Sequence, residues 1–214
     1  MAQVFPSFLL DGYRNFMSGR YATERDRYRS LAEEGQRPRT MVIACCDSRS
    51  APETIFDCGP GELFVIRNVA NLVPPNGLDT TFHSTAAALE FGVIHLKVEH
   101  IVVMGHGRCG GIAGALATSA GHAPEGDFIG KWLTMVSDMA NRVQAQSDLS
   151  LSEQQTELER ISIRQSVNNL SAFPFVKSRV DDGQLSLHGA WFDISSGELW
   201  TMNGDSGDFL RPAA

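Results

Sequence analysis

Apolar residues along this chain fall into two kinds of run, and their spacing sorts them into helices and strands. Phe5, Phe8, Leu9, Tyr13, Phe16 and Met17 recur at helical spacing, with Ser7 placed to cap the helix and Ser18-Gly19 to stop it. A second helix is expected from Thr23, whose Thr-x-x-Asp26 forms a loose capping box, to Gly35. The pattern then changes. Residues 41–44, 62–67 and 99–105 are short runs rich in Val and Ile, as in strands buried in a parallel sheet. Pro74-Pro75-Asn76-Gly77 marks a loop, residues 80–94 read as a buried Ala-rich helix, and 110–117 as the next one. Asp127 is placed to cap a long helix in which Phe128, Ile129, Trp132, Leu133, Val136, Met139 and Val143 share a face. Ser152-x-x-Gln155 reads as a capping box for a further helix through Leu158, Ile161 and Leu170. Residues 185–194 and 198–202 flank Ser195-Ser196-Gly197 as a hairpin.

Strands that alternate with helices and close on a hairpin define an α/β class. The expected architecture is a mainly parallel β-sheet flanked by helices, with an N-terminal helical arm and a C-terminal strand hairpin. No internal repeat, low-complexity tract or linker divides it, so residues 1–214 read as a single domain with 1–35 as the arm. The apolar stripe of the arm fits packing on its own domain and packing on a partner subunit equally well.

Composition narrows the class. With 214 residues, 43% hydrophobic and 20% charged, the chain is long enough for one full core. A formal charge of -7 argues against nucleic acid or an anionic membrane as partner, because both call for a basic patch. No run approaches the roughly 18 apolar residues of a membrane span. The start, Met-Ala-Gln-Val-Phe-Pro, lacks the basic region and cleavage pattern of a secretory signal. Cys45, Cys46, Cys58 and Cys109 do not resemble a secreted disulfide framework, which makes the reducing cytoplasm the expected compartment.

Candidate chemistry sits where two strand-like runs stop. One run leads into Cys45 and another through Gly105 into His106, with Cys109 three residues on. Ligand sites of open α/β sheets gather beyond the carboxyl ends of strands, so the two halves can meet there. A helix starting near Gly107 would put His106 and Cys109 on one face. Cys45, His106 and Cys109 then form a Cys₂His set, which suits zinc with a fourth position open. Spacing alone equally allows two buried small cysteines and a turn histidine. On an extended segment Cys45, Asp47 and Arg49 face one way, so Arg49 can hold the Asp47 carboxylate ionised beside the site. Spacing alone favours a plain structural salt bridge over that role. Gly105-x-Gly107-x-x-Gly110 also matches the dinucleotide-binding fingerprint, which makes a nucleotide-dependent oxidoreductase a rival. That match contains His106 and Cys109, lies mid-chain, and lacks a clear ribose-binding acid about 20 residues on.

Cys45-x-Asp47-x-Arg49 followed by His106-x-x-Cys109 resembles the signature of the β-class carbonic anhydrases. The likeness extends over residues 35–36, 60–75 and 96–106, and is firm from Gln36 to Ile112. The resemblance implies Zn2+ on Cys45, His106 and Cys109, and reversible hydration of CO2 to bicarbonate and a proton by zinc-bound hydroxide. It implies catalytic roles for Asp47 and Arg49, with Asp47 able to swing onto zinc as fourth ligand in a closed, inactive form. It implies substrate binding by Gln36, as in plant-type members, and by Phe64, Val69 and Phe91, the last standing where Tyr is common. It further implies a homodimer or homotetramer. Some bacterial members carry a bicarbonate inhibition site of Trp, Arg and Tyr. Here the matching residues are Val42, Arg67 and Phe192, so bicarbonate-driven shutdown is not expected and the plant-type subclass fits better. Hydrolysis of COS or CS2 on the same scaffold is an alternative, as is a non-catalytic protein with a closed zinc site. Cys46 and Cys58 read as packing residues, and His83, His95, His100, His122 and His188 have no assignable partner.

Overall fold

The computed structural model describes residues 4–77, 84–122 and 126–212. They fall into two compact units, Met1–Arg37 and Pro38–Ala214. The first unit is a helical hairpin of α1 (Ser7–Ser18) and α2 (Arg20–Glu34). Ser7 is the first helical residue and Pro6 takes the cap position. α2 starts ahead of Thr23, whose hydroxyl donates to the Arg20 carbonyl at 2.9 Å inside the helix instead of capping it. Gly35 ends α2 at φ 80°, a backbone conformation that an L side chain disfavours. Phe16, Tyr21 and Tyr28 pack together with ring centroids 5.3 to 5.9 Å apart. Phe5, Phe8, Leu9 and Tyr13 of the predicted stripe are exposed.

The second unit opens with β1 (Thr40–Cys45), α3 (Pro52–Ile55), β2 (Leu63–Asn68) and α4 (Ser84–Glu90), which runs into one wide turn at Phe91–His95. Then come β3 (His100–His106), α5 (Gly110–Ser119), α6 (Asp127–Leu133), α7 (Ser137–Gln144) and α8 (Leu151–Leu170). It closes with α9 (Pro174–Asp181), β4 (Ser186–Asp193), β5 (Glu198–Met202) and β6 (Phe209–Leu210). The six strands form one sheet in the order β2-β1-β3-β4-β5-β6. Pairs among the first four are parallel and β5 adds antiparallel, as the periodicity predicts; β6, which the periodicity does not predict, adds antiparallel at the edge.

The later helices also depart from expectation. The helix expected from Asp127 breaks at residues 134–136, and Phe128 faces out at 88% exposure instead of joining the stripe. Its cap position belongs to Gly126, and Asp127 makes no capping bond. The capping box of α8 is Ser150 with Glu153, two residues earlier than the Ser152/Gln155 pair, because these two close the reciprocal bonds. Gln155 is thereby free for another role. The helix expected over 80–94 is described only from Ser84; its start, and His83, lie outside the described residues.

α8 crosses β3 and β4 closely because two strand positions carry no Cβ. A Cβ at Gly105 would stand 2.7 Å from Ile163 Cδ1, and one at Gly189 3.0 Å from Ile163 Cγ2. Ile163 therefore settles onto the strands, among Met41, Ile43, Ile101, Val103 and Val167. One turn back along α8, this contact carries Glu159 to the carboxyl ends of the strands.

Candidate metal centre

Cys45 and His106 end β1 and β3, adjacent parallel strands in which Ala44 pairs with Met104. Their side chains therefore emerge together at the carboxyl edge of the sheet. Cys109 arrives differently from the expectation. α5 begins only at Gly110, Cys109 takes its cap position, and Arg108 turns the chain at φ 57°. A tight turn, not a shared helix face, brings Cys109 to His106.

The ligand atoms of Cys45, His106 and Cys109 all lie within 4.8 Å of one another, and all three residues are buried. The two sulfurs are 3.9 Å apart. Sulfurs about 2.3 Å from a tetrahedral zinc stand roughly 3.8 Å apart, so the pair fits that ion without rearrangement. The Gly107 carbonyl can only accept, so it fixes the proton of His106 on Nδ1, 3.0 Å away. Nε2 is left buried without a hydrogen-bond partner, its lone pair available to a cation.

The electrostatics call for that cation. The neighbouring Cys109 thiol, then His106 and the backbone N–H groups of Asp47 and Ala70, lower the pKa of Cys45 against the opposing effect of burial. The neighbouring Cys45 thiolate, and then burial, raise that of Cys109. One thiol ionises readily and the second is held back. Burial works against charge on His106, but the Cys45 thiolate and the Gly107 carbonyl outweigh it and raise its pKa. A dication among the three would offset the second thiolate charge and displace the imidazolium proton.

Asp47 faces this group, with Oδ2 3.9 Å from His106 Nε2. The strand has ended by then, so a turn, closed by Ser50 N–H on the Asp47 carbonyl at 3.1 Å, sets its direction instead of an extended segment. Arg49 grips the carboxylate with its backbone N–H and Nε on Oδ1 at 3.0 and 2.9 Å and with a terminal nitrogen on Oδ2 at 2.7 Å. These bonds hold Asp47 below the usual carboxylate range despite partial burial. The same terminal nitrogen reaches the Arg108 carbonyl at 3.2 Å and joins the dyad to the His106–Cys109 turn.

Arg67 braces the loop from β2, donating to the carbonyls of Cys45 at 2.7 Å and Asp47 at 2.6 Å. The residues after β2, Ala70 and Asn71, are both left-handed, at φ 63° and 49°. Gly111 lets this turn approach α5: a Cβ there would stand 2.7 Å from Val69 Cγ1.

Sequence reasoning passed over Glu159 and Trp191 and gave Gln155 only a capping role. Glu159 is 2% exposed. Its Oε1 accepts the Cys109 N–H at 2.9 Å and Gln155 Nε2 at 3.2 Å, and its Oε2 accepts Trp191 Nε1 at 3.0 Å. Burial raises its pKa, and those donors partly offset the effect. The available signal was an acid four residues before Ile163 on the apolar face of a helix.

The predicted substrate positions divide. Val69 packs against the core cluster that includes Cys45, Ala70 and Cys109. Phe64 pairs with Met41, four residues before Cys45 and so about 13 Å along the strand. Phe91 stacks on Phe64 with centroids 5.8 Å apart and is 45% exposed. Gln36 is exposed and belongs to the first unit. Cys46 is exposed, not packed, because the strand ends before it; Cys58 is half-buried. His100 and His188 pair with each other at 3.3 Å, and His95 stacks on Phe91. Gly105 and Gly107 of the dinucleotide-like pattern accommodate Ile163 and Trp191, so side chains fill the space that a pyrophosphate would need.

A family model described as carbonic anhydrase matches residues 40–199. Two similar curated proteins come from Arabidopsis thaliana. Beta carbonic anhydrase 3 is 39% identical, covering 90% of this chain and 75% of its own. Beta carbonic anhydrase 6, mitochondrial, is 37% identical, covering 92% and 68%. The solved β-carbonic anhydrase CcaA superposes with a TM-score of 0.89 at 31% identity, covering 97% of this chain and 92% of its own.

Proposed function

We infer the division of labour at this site from one premise: the chain belongs to the β-carbonic anhydrases. It is a zinc lyase for the reversible hydration of CO2 to bicarbonate and a proton. Zinc, when bound, supplies a Lewis acid that brings the pKa of a coordinated water from ~15.7 toward neutrality. We assign its ligands to Cys45, His106 and Cys109. The observation that carries the reading is the buried Cys45–His106–Cys109 group facing an Asp47 held on Arg49.

An ionised carboxylate can only accept hydrogen bonds. Asp47 Oδ2, aimed at the ligand group, would accept a hydrogen bond from the attacking hydroxyl, which keeps its proton, and so turn an oxygen lone pair toward the carbon of CO2. Arg49 is the positioning half of the dyad. While its nitrogens hold both carboxylate oxygens, Asp47 is kept from closing the site as a fourth ligand.

We assign substrate contacts to Val69 from the same chain and to Gln36, Phe64 and Phe91 through assembly. Phe64 lies a strand's length from Cys45, so it lines a CO2 pocket only beside the metal group of another subunit. A homodimer, or a tetramer of two such pairs, meets that need and gives the exposed stripe of α1 a surface to cover. The whole chain then acts as one domain with its arm as the dimer contact. The four free thiols fit a reducing compartment, for which we favour the cytoplasm.

Stopped-flow CO2 hydration on metal-quantified protein at alkaline pH tests the assignment. Rapid hydration that disappears in a folded Cys45→Ser variant is expected. A zinc-loaded protein that hydrolyses COS or CS2 but leaves CO2 untouched would move it to the sister chemistry.

A further inference from the structure

Glu159 is the one fully buried carboxylate among the described residues, and the mechanism above does not use it. Its position is specific. Cys109 stands at the cap of α5, where a helix leaves its first backbone N–H groups without intrahelical partners. Glu159 Oε1 accepts the Cys109 N–H at 2.9 Å, while Gln155, one turn earlier on α8, donates to the Cys109 carbonyl at 3.1 Å and to the same Oε1 at 3.2 Å. Both sides of the ligand's backbone are therefore gripped by a single helix. Glu159 Oε2 accepts Trp191 Nε1 at 3.0 Å, and the Trp191 ring fills the space beside Gly107, where a Cβ would come within 3.1 Å. Gly107 follows His106 and donates its own N–H to the Phe192 carbonyl at 2.8 Å.

We propose that Gln155 and Glu159 are positioning residues for the metal: their clamp on the Cys109 peptide, extended through Trp191 to the His106–Gly107 turn, fixes a sulfur and an imidazole at coordinating distance. The proposal rests on Cys45, His106 and Cys109 being the metal set. Glu159 touches no ligand atom, so its effect runs through backbone placement. In Glu159→Gln the amide oxygen keeps the two donors at Oε1, and the amide nitrogen meets the Trp191 N–H, donor against donor. Gln155→Met keeps the shape and removes the grip on the Cys109 carbonyl together with the bond to Glu159 Oε1, while leaving the Glu159 bonds to Cys109 N–H and Trp191 in place.

The experiment measures zinc transfer from wild-type and variant protein to a chromogenic chelator, alongside the thiolate-to-cobalt absorption band of the Co(II)-substituted proteins. Both single variants are expected to lose zinc on the order of 10–100-fold faster and to shift the cobalt band. Adding Trp191→Phe to Glu159→Gln removes the opposed donor and should slow the loss again. A network that only stabilises the packing of α8 on β4 predicts lower unfolding temperatures with zinc retention and the cobalt band unchanged; that outcome in both single variants overturns the clamp. If Glu159→Gln does not fold, Gln155→Met decides, and wild-type retention there is likewise fatal. Wild-type protein that takes up no zinc would overturn the metal assignment, and the clamp with it; zinc uptake with unaffected variants overturns the clamp alone.

Discussion

Replacing Asp47 with Asn separates an orienting dyad from a salt bridge that merely ties the loop. Oδ1 receives two donors from Arg49, its backbone N–H and Nε, whereas Oδ2 receives one. An asparagine keeps more bonds by placing its oxygen at Oδ1. The amide nitrogen then takes the Oδ2 position, 3.9 Å from His106 Nε2, and points a donor where the reaction needs an acceptor. The cost in stability is small, because the Arg49 side chain is 50% exposed and water competes for it. An exposed pair of this kind contributes about 0.2–1 kcal/mol. For a chain of this size that lowers the melting temperature by about 1–4 °C. The rate should suffer far more. Losing one pre-organised hydrogen bond at a reacting centre costs on the order of 10²–10³ in kcat, or about 2.7–4 kcal/mol of barrier. Stopped-flow CO2 hydration and thermal melts on protein with matched zinc content give both numbers. A few degrees lost with kcat nearly intact would refute the orienting role and leave Asp47 as a loop tie.

Gly105→Ala should destabilise by about 1–3 kcal/mol in urea unfolding, because its Cβ would stand 2.7 Å from Ile163 Cδ1; adding Ile163→Val, which removes that atom, should recover much of the loss. The pKa of Asp47 is lowered in the folded protein, so its contribution to stability is present above the unfolded value near 3.8 and disappears as pH falls through the lower folded value. The stability gap between wild type and Asp47→Asn should thus stay constant from neutral pH down to about 5 and shrink only below ~3.8, and a carbon-13 titration of the carboxyl should show no inflection above that point. Bicarbonate at fixed pH and ionic strength should not give sigmoidal inhibition. Arg67, the one residue shared with the bacterial inhibition site, is committed to the Cys45 and Asp47 carbonyls, and a sigmoidal curve would show that it can be released.

The class of fold was legible because local chemistry and global packing agree along most of the chain. Val- and Ile-rich runs of strand length have few uses other than the interior of a parallel sheet, and the switch from helical spacing in the arm to those runs placed β1, β2 and β3 within a residue or two. Cys45 and His106 were legible for the same reason, since a ligand at the end of a buried strand stays at the sheet's edge whatever the loops do. The Arg49–Asp47 pair was legible as well, because two residues apart the partners can hardly avoid each other. Tertiary contacts decided the rest. The path to Cys109 depends on Arg108 adopting φ 57°, which no spacing rule requires. Gln155 looked like half of a capping box until Ser150 and Glu153 closed one two residues earlier and left it facing Cys109. Glu159 could be placed only once Ile163 had settled into the space beside Gly105 and Gly189, because an acid on an apolar helix face has no meaning until the element opposite is known. Phe64 and Val69 lie five residues apart in sequence and on two sides of the question. Val69 packs against the core cluster that contains Cys45 and Cys109, while the parallel register of β1 and β2 fixes Phe64 a strand's length from Cys45. The sequence by itself determined which residues could hold a metal ion. The close approach of α8 to the sheet decided how they are held, and the strand register decided which of the apolar residues stand near them.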